Sequence, residues 1–247
     1  MSCSRKLYVI FPAAGSGSRM HSDKNKLLME VGGVSVIDRT LSAFKKFADT
    51  KDIELNGVLV VSPGKVPQWE SYISGKDYSS IICAITEGGD TRTGSVGNGV
   101  AVLEDYDPSD DDPVFIHDAA RCLIDTDSIA RCFDAISEDD TPVCVSGVKT
   151  KNTIKMVKTG SSESVIVEST PDRDLLYEVQ TPQCFRYKVL SDCYSEAASE
   201  GYEATDDTAL AEHYGYPVRI VEGSYSNIKI TTPEDIAIAE ALLNELN

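Results

Sequence analysis

No C-x-x-C pair occurs in this chain, and its three histidines (21, 117, 213) lie far from one another. Together those absences remove the ligand spacing that a structural zinc site needs. The seven cysteines (3, 83, 122, 132, 144, 184, 193) are scattered, odd in number and mostly set in apolar runs. They read as buried reduced thiols rather than a disulfide framework. Nothing approaches the ~20 consecutive apolar residues that cross a bilayer. The opening MSCSRKLYVIF passes from a short polar lead straight into a strand-like run, without the longer apolar stretch and cleavage site of a signal peptide. The expected compartment is therefore the cytoplasm. Basic residues are few: 23 Lys and Arg stand against 40 Asp and Glu, a formal net charge of −17. That balance argues against nucleic acid or an anionic membrane as partner, because both are bound through basic patches. A small anionic substrate remains open if its cations form a local cluster.

Within 247 residues, 41% hydrophobic and 26% charged, apolar β-rich runs alternate with helical patterns. Strands are predicted at Leu7–Phe11, Gly57–Val61, Ile81–Ile85, Pro113–Ile116 and Val143–Ser146, and helices at Val36–Phe47, Thr93–Leu103, Asp127–Ile136 and Lys188–Ser199. Strands this apolar, separated by helices, predict an α/β fold with a mostly parallel sheet covered on both faces. Between Lys149 and Gln180 the alternation breaks into two short segments around a Thr-Gly-Ser-Ser turn, which predicts a β-hairpin arm projecting from the sheet. Short segments at Val218–Glu222 and Asn227–Ile230 follow. A final helix opens at Thr232-Pro233-Glu234, with Pro at its first position. One domain, 1–247, with 149–180 as its arm, is the economical organisation.

Four segments carry chemistry. PAAGSGSRM (Pro12–Met20) follows the first strand, and its glycines let successive N–H groups converge on an anion. A Rossmann G-x-G-x-x-G needs Gly where Met20 stands, and a Walker A loop needs the absent G-K-[S/T]. A phosphate loop served by Arg19 and Lys26 remains, beside the plain alternative of a tight turn. HDAAR (His117–Arg121) follows the fourth strand, at the carboxyl end where parallel sheets bind ligands. Asp118 and Arg121 suit a metal and a phosphate there, or simply each other. GGDTRTGSV (Gly88–Val96) enters a helix; its glycines permit close backbone approach to a flat ligand, with Ser95 offered to a base edge, or the segment is a helix cap. TPQ (Thr181–Gln183) and NIKITTPEDI (Asn227–Ile236) add Lys229 beside a strand.

Taken together with NTIK, TPDRDLLYEVQTPQ, TDD and VEGSYSNIKITTPEDI, these segments resemble the 2-C-methyl-D-erythritol 4-phosphate cytidylyltransferases of the non-mevalonate isoprenoid pathway, from about Lys6 to the C-terminus. The resemblance implies a Rossmann-like sheet of the nucleotide-diphospho-sugar transferase type. It implies CTP and a small sugar-alcohol phosphate as substrates, CMP transfer with release of pyrophosphate, and Mg²⁺ held mainly by the CTP phosphates with Asp118 as a candidate ligand. Ala13, Ala14, Gly89, Asp90 and Ser95 match the cytosine pocket. Gly15, Gly17, Arg19 and Lys26 match the surroundings of the triphosphate, with Arg19, Lys26 and Lys229 as the catalytic cations. Asp118, Arg121, Thr153, Arg173 and Thr181 match the sugar-phosphate site. Arg173's counterpart reaches the neighbouring subunit's site from the arm, so a homodimer is implied. Asn25 and Leu27 flank the lysine where many members carry Pro and Gln, and Cys122 stands where proline often follows the arginine. Two other readings compete: a cytidylyltransferase for ribitol 5-phosphate, and a catalytically silent nucleotide-binding protein. The latter has no need of Arg19, Lys26, Asp118, Arg121 and Lys229 together.

Overall fold

The computed structural model describes residues 5–15, 25–138, 141–158 and 165–246. Strand β1 (Arg5–Pro12) is followed by a small hairpin of β2 (Glu30–Val31) and β3 (Val34–Ser35), then helix α1 (Val36–Lys51) and β4 (Ile53–Val61). Helix α2 (Val66–Ile73), β5 (Ile82–Glu87), α3 (Arg92–Leu103), β6 (Pro113–Ile116), α4 (Thr126–Glu138) and β7 (Val143–Lys149) come next. A second hairpin, β8 (Met156–Lys158) with β9 (Ile166–Ser169), leads to β10 (Tyr177–Arg186). The chain ends with α5 (Tyr187–Glu200), α6 (Asp207–His213), β11 (Val218–Glu222) and α7 (Pro233–Leu246).

Seven strands form one sheet in the order β11-β7-β10-β6-β1-β4-β5. β1 runs parallel to β4 and β6, β5 parallel to β4, and β11 parallel to β7. β10 alone among them runs antiparallel to its neighbours, β6 and β7. The mostly parallel sheet expected from the apolar strands is present, and the reversed strand is the return leg of the arm. Period-2 alternation splits β1 between two cores. Leu7, Val9 and Phe11 pack with Leu41, Phe44, Phe47 and Phe133 of α1 and α4. Tyr8 and Ile10 pack with Val96, Val100, Leu190 and Tyr194 of α3 and α5. Burying each such side chain contributes about 1.5–3 kcal/mol.

Local chemistry sets the helix starts. Ser35 caps α1 by accepting a hydrogen bond from the Asp38 N–H at 3.1 Å, and the helix's buried residues 36, 37, 40, 41, 44, 47 and 48, all apolar but Thr40, recur at helical spacing on one face. Helix α3 lies close against the sheet at Gly99, where a Cβ would meet Ile10 Cγ2 at 2.7 Å. Sheet pairing persists as far as Lys149 opposite Tyr177, and the described residues 150–158 and 165–176 lie outside the seven-stranded sheet. Met156, Val165, Ile166 and Val167 among them are exposed. Residues 227–230 run as irregular chain between β11 and α7.

Candidate active site

The parallel strands β1, β4, β5 and β6 end on one side of the sheet, where ligands of such sheets bind. A cleft of about 400 Å³ opens there. Pro12, Ala13, Ala14 and Gly15 line it from the end of β1, Gly89, Asp90, Arg92 and Ser95 from the β5–α3 turn, Asp118 and Ala120 from the end of β6. Lys26 and Lys229 complete the wall. Gly17 and Arg19 lie outside the described residues.

Two loops close on each other across this cleft. The Ala13 N–H donates to Val60 O at 2.7 Å, the Gly88 N–H to Val61 O at 2.7 Å, and the Ser62 hydroxyl to Ala14 O at 3.0 Å. Gly88 is required by that approach: a Cβ there would sit 2.7 Å from Ala14 Cβ and 2.8 Å from Ser95 Oγ. Ser95 is buried, and its hydroxyl accepts from Gly89 N–H at 3.1 Å and donates to Gly89 O at 3.2 Å. It therefore shapes the Gly89-Asp90 turn. Thr91 caps α3 through Gly94 N–H at 3.0 Å, so the capping alternative for this segment is also realised.

Lys26 opens a short 3-10 turn, Lys26–Leu28, whose cap is Asn25. The Asn25 carboxamide oxygen accepts from the Leu27 N–H at 3.0 Å, which gives this residue a physical role as the cap of the turn. Leu27 is buried and anchors the turn. The Lys26 ammonium donates to Ile230 O at 3.2 Å, bringing it to the segment that carries Lys229.

Around Asp118 four elements converge. Lys229 Nζ lies 3.0 Å from Asp118 Oδ2 and Arg121 Nε 3.4 Å from the same oxygen. The Arg121 guanidinium also donates to Asn227 O at 2.7 Å. Burial alone would raise the Asp118 pKa, but Lys229, Arg121 and Arg92 outweigh it and hold the carboxyl at about 2. Burial lowers the Arg121 pKa from its ordinary value, against the pull of Asp118. Beneath this group the Thr181 hydroxyl oxygen accepts from the Asp118 N–H at 3.1 Å and lies 3.1 Å from His117 Nδ1. His117 Nε2 lies 3.4 Å from the Arg121 carbonyl, and the Thr181 backbone also borders the ring. Burial pushes the His117 pKa down to about 4. The imidazole is a neutral, packed support with Phe44 against its ring.

Thr153 and Arg173 sit between β7 and β10, both exposed, and neither lines the cleft of its own chain. Two contributors escaped the sequence reading. Arg92 lines the cleft while pairing with both carboxylate oxygens of the buried Asp207, at 2.6 and 2.7 Å. Tyr194 donates to the same carboxylate at 2.6 Å. The TDD motif holds Asp207, but no spacing rule links it to Arg92. Asn227 is the other, buried behind Arg121. Among the described residues no three metal-ligating side chains cluster. Among the described residues, Asp90 and Asp118 are the carboxylates lining the cleft, a donor set suited to an ion that brings most of its oxygen ligands with it.

A mostly parallel sheet with glycine-bearing loops and a ring of cations at its strand ends defines an α/β protein of the nucleotidyltransferase type. The chain belongs to the IspD family, 2-C-methyl-D-erythritol 4-phosphate cytidylyltransferase, whose model matches residues 7–245. It is 39% identical over 239 residues to the 2-C-methyl-D-erythritol 4-phosphate cytidylyltransferase of a Synechococcus strain, covering 97% of each chain. It is 40% identical over 237 residues to the enzyme of that name from Nostoc punctiforme, covering 96% of this chain and 98% of that one. The crystal structure of 4-diphosphocytidyl-2C-methyl-D-erythritol synthase from Anaerococcus prevotii matches with a TM-score of 0.79 at 30% identity, over 97% of this chain and 99% of that one.

Proposed function

We propose that this chain transfers CMP from CTP to 2-C-methyl-D-erythritol 4-phosphate, releasing pyrophosphate. The observation that carries the reading is the convergence of Lys26, Lys229, Arg121 and Asp118 beside the Gly88–Asp90 turn. Cations for two sets of phosphates then stand next to a slot with glycine walls for a base. Ala13, Ala14, Gly89 and Asp90 receive the cytosine largely through backbone groups, with Ser95 fixing the turn. Gly15, Gly17, Arg19 and Lys26 surround the triphosphate. Arg121 and Lys229, oriented by Asp118 and supported by Thr181, hold the acceptor phosphate.

In the reaction a phosphate oxygen of the acceptor attacks the α-phosphorus of CTP. A new P–O bond forms as the bond to the β-phosphate breaks, and pyrophosphate leaves. The nucleophile is already an anion, so no strong general base is needed, and neutral His117 is not asked to act as one. The barrier lies in bringing anions together and in the charge on the transferring group, which Arg19, Lys26 and Lys229 offset by position and charge. Mg²⁺, carried mainly by the CTP phosphates with Asp118 as a candidate ligand, supplies further charge neutralisation when bound.

The same reading makes the chain a single nucleotidyltransferase domain that pairs as a homodimer through its arm. Thr153 and Arg173 would then serve the partner's acceptor site, in keeping with their exposure outside their own cleft. The exposed apolar residues of β8 and β9 support that pairing. A cytoplasmic setting fits six unpaired thiols at 83, 122, 132, 144, 184 and 193; no helix among the described residues is long and apolar enough to cross a membrane. The test is a pyrophosphate-release panel crossing four nucleoside triphosphates with methylerythritol phosphate, ribitol 5-phosphate and other sugar phosphates, with and without Mg²⁺. CTP with methylerythritol phosphate should be fastest and Mg²⁺-dependent. Preference for ribitol 5-phosphate would change the acceptor, and no turnover with any pair would leave a silent binder.

A further inference from the structure

The segment from Gly223 to Lys229 is seated on the sheet rather than laid over it. A Cβ on Gly223 would meet Gln180 Oε1 at 2.5 Å and Ser146 Oγ at 2.6 Å. Its N–H donates to Gly147 O at 2.9 Å, and Gln180 Nε2 donates to Ser224 O at 2.8 Å. At the centre of this strap is Asn227, fully buried. Its Nδ2 donates to Thr181 O at 2.8 Å and faces Gln180 Oε1 at 3.4 Å. Both neighbours are acceptors, so the amide can be oriented only this way. Its backbone carbonyl takes the Arg121 guanidinium at 2.7 Å, a shorter contact than the 3.4 Å from Arg121 to Asp118. Two residues further on, Lys229 meets Asp118.

We propose that Asn227 is a positioning residue for the acceptor half of the site. Its buried amide bolts the strap to β10, and the strap in turn aims Arg121 and Lys229 together. The inference rests on the reading of the cleft as a cytidylyl-transfer site. Asn227 is not among the residues lining the cleft, so it acts through the two cations it places. A second observation separates this role from plain packing. Asn227 Oδ1 is buried without a hydrogen-bond partner among the described residues, an arrangement that lowers stability relative to an apolar side chain of the same shape. What the amide contributes is the pair of directed donor bonds. Among the described residues no comparable link runs from Asn227 to the Gly88–Asp90 turn, so its loss acts on one substrate and spares the other.

The test uses the full chain with Asn227→Asp and Asn227→Ser. Asn227→Asp keeps the shape, sets an oxygen against Thr181 O and Gln180 Oε1, and offers Arg121 a competing carboxylate. Asn227→Ser trims the amide to a hydroxyl too short to reach both acceptors, and decides the matter if the carboxylate does not fold. KM for methylerythritol phosphate should rise about tenfold or more while KM for CTP stays within about twofold. A purely structural residue would lower the melting temperature without splitting the two KM values, and that outcome overturns the proposal. Wild-type chain that shows no cytidylyl transfer sinks the functional reading instead; active wild type with unsplit variants sinks this inference alone.

Discussion

The Lys229 ammonium stands 3.0 Å from Asp118 Oδ2, so a cation from the chain's last loop is set against the carboxylate that follows β6. Arg121 shares the oxygen, and the carboxyl is held at about 2. Asp118 therefore stays ionised throughout the neutral and mildly acidic range. Acid sensitivity has to come from elsewhere, and the neutral imidazole beneath is the candidate.

Burial lowers the His117 pKa from 6.5 to about 4 in the folded protein. Between those values the unfolded chain binds a proton that the folded chain does not, so stability falls as pH drops through that window and this contribution levels off below it. The shift corresponds to on the order of 3 kcal/mol. Asp118, lowered from 3.8 to about 2, adds its own loss only below pH 3.8. Urea titrations from pH 7 to 4.5 should show the slope in wild type and a flatter one in His117→Gln. Equal slopes in both would assign the acid loss to other groups.

Gly88→Ala tests the meeting of the two cleft loops. The added Cβ would strike Ala14 and displace Ser95 from Gly89. Overpacking of this kind costs about 1–3 kcal/mol, and here the strain falls on the base slot. KM for CTP should rise about tenfold, with KM for the acceptor little changed. Calorimetry and steady-state kinetics on one preparation separate the two effects; an unchanged KM for CTP would move the base elsewhere.

Lys26→Ala should lower turnover by about 10²–10³-fold while weakening CTP binding far less, if the ammonium acts on charge that develops during transfer. Lys26→Met keeps most of the side-chain bulk and should be nearly as poor. Single-turnover kinetics at saturating CTP reads the difference. Near-normal turnover would mean that the Asn25-capped turn holds the lysine for packing and that another cation serves the phosphates.

Much of this was legible because the signals are local. Apolar strands 7–11 and 113–116 announce a buried parallel sheet, and glycine pairs announce where backbone approaches a ligand. Helix α6 was missed because its sequence, DTALAEH, is too short for a 3.6-residue period to stand out. The direction of β10 was hidden because an apolar run looks alike in either sense. Asp118 and Arg121 were visible as residue types just after a strand, and Lys229 as a cation in the NIKITTPEDI segment. Arg92 with Asp207, and Asn227 with Thr181, depend on contacts between distant segments that no spacing encodes. Asn25, which reads as a departure from the family pattern, is accounted for by a single cap.

The last prediction concerns the shared site, the least local part of the functional proposal. Arg173 opens a short 3-10 turn capped by Asp172, between β9 and β10, exposed and away from its own cleft. An isolated hairpin such as β8–β9 is marginal in water, and pairing with a second copy would bury it while carrying Arg173 to the neighbour's acceptor phosphate. Each site would then take Lys26 from one chain and Arg173 from the other. Lys26→Ala and Arg173→Ala homodimers should both be nearly inactive. Unfolded together and refolded as an equal mixture, they should form mixed dimers in half of all pairs, each with one doubly defective site and one intact site. Random reassociation of a two-fold dimer should thus restore roughly a quarter of wild-type activity. If both residues served the same chain's site, every site would keep one defect and mixing would restore nothing. Activity that stays at the level of the single mutants, with mixed dimers verified by mass, rules out the shared site.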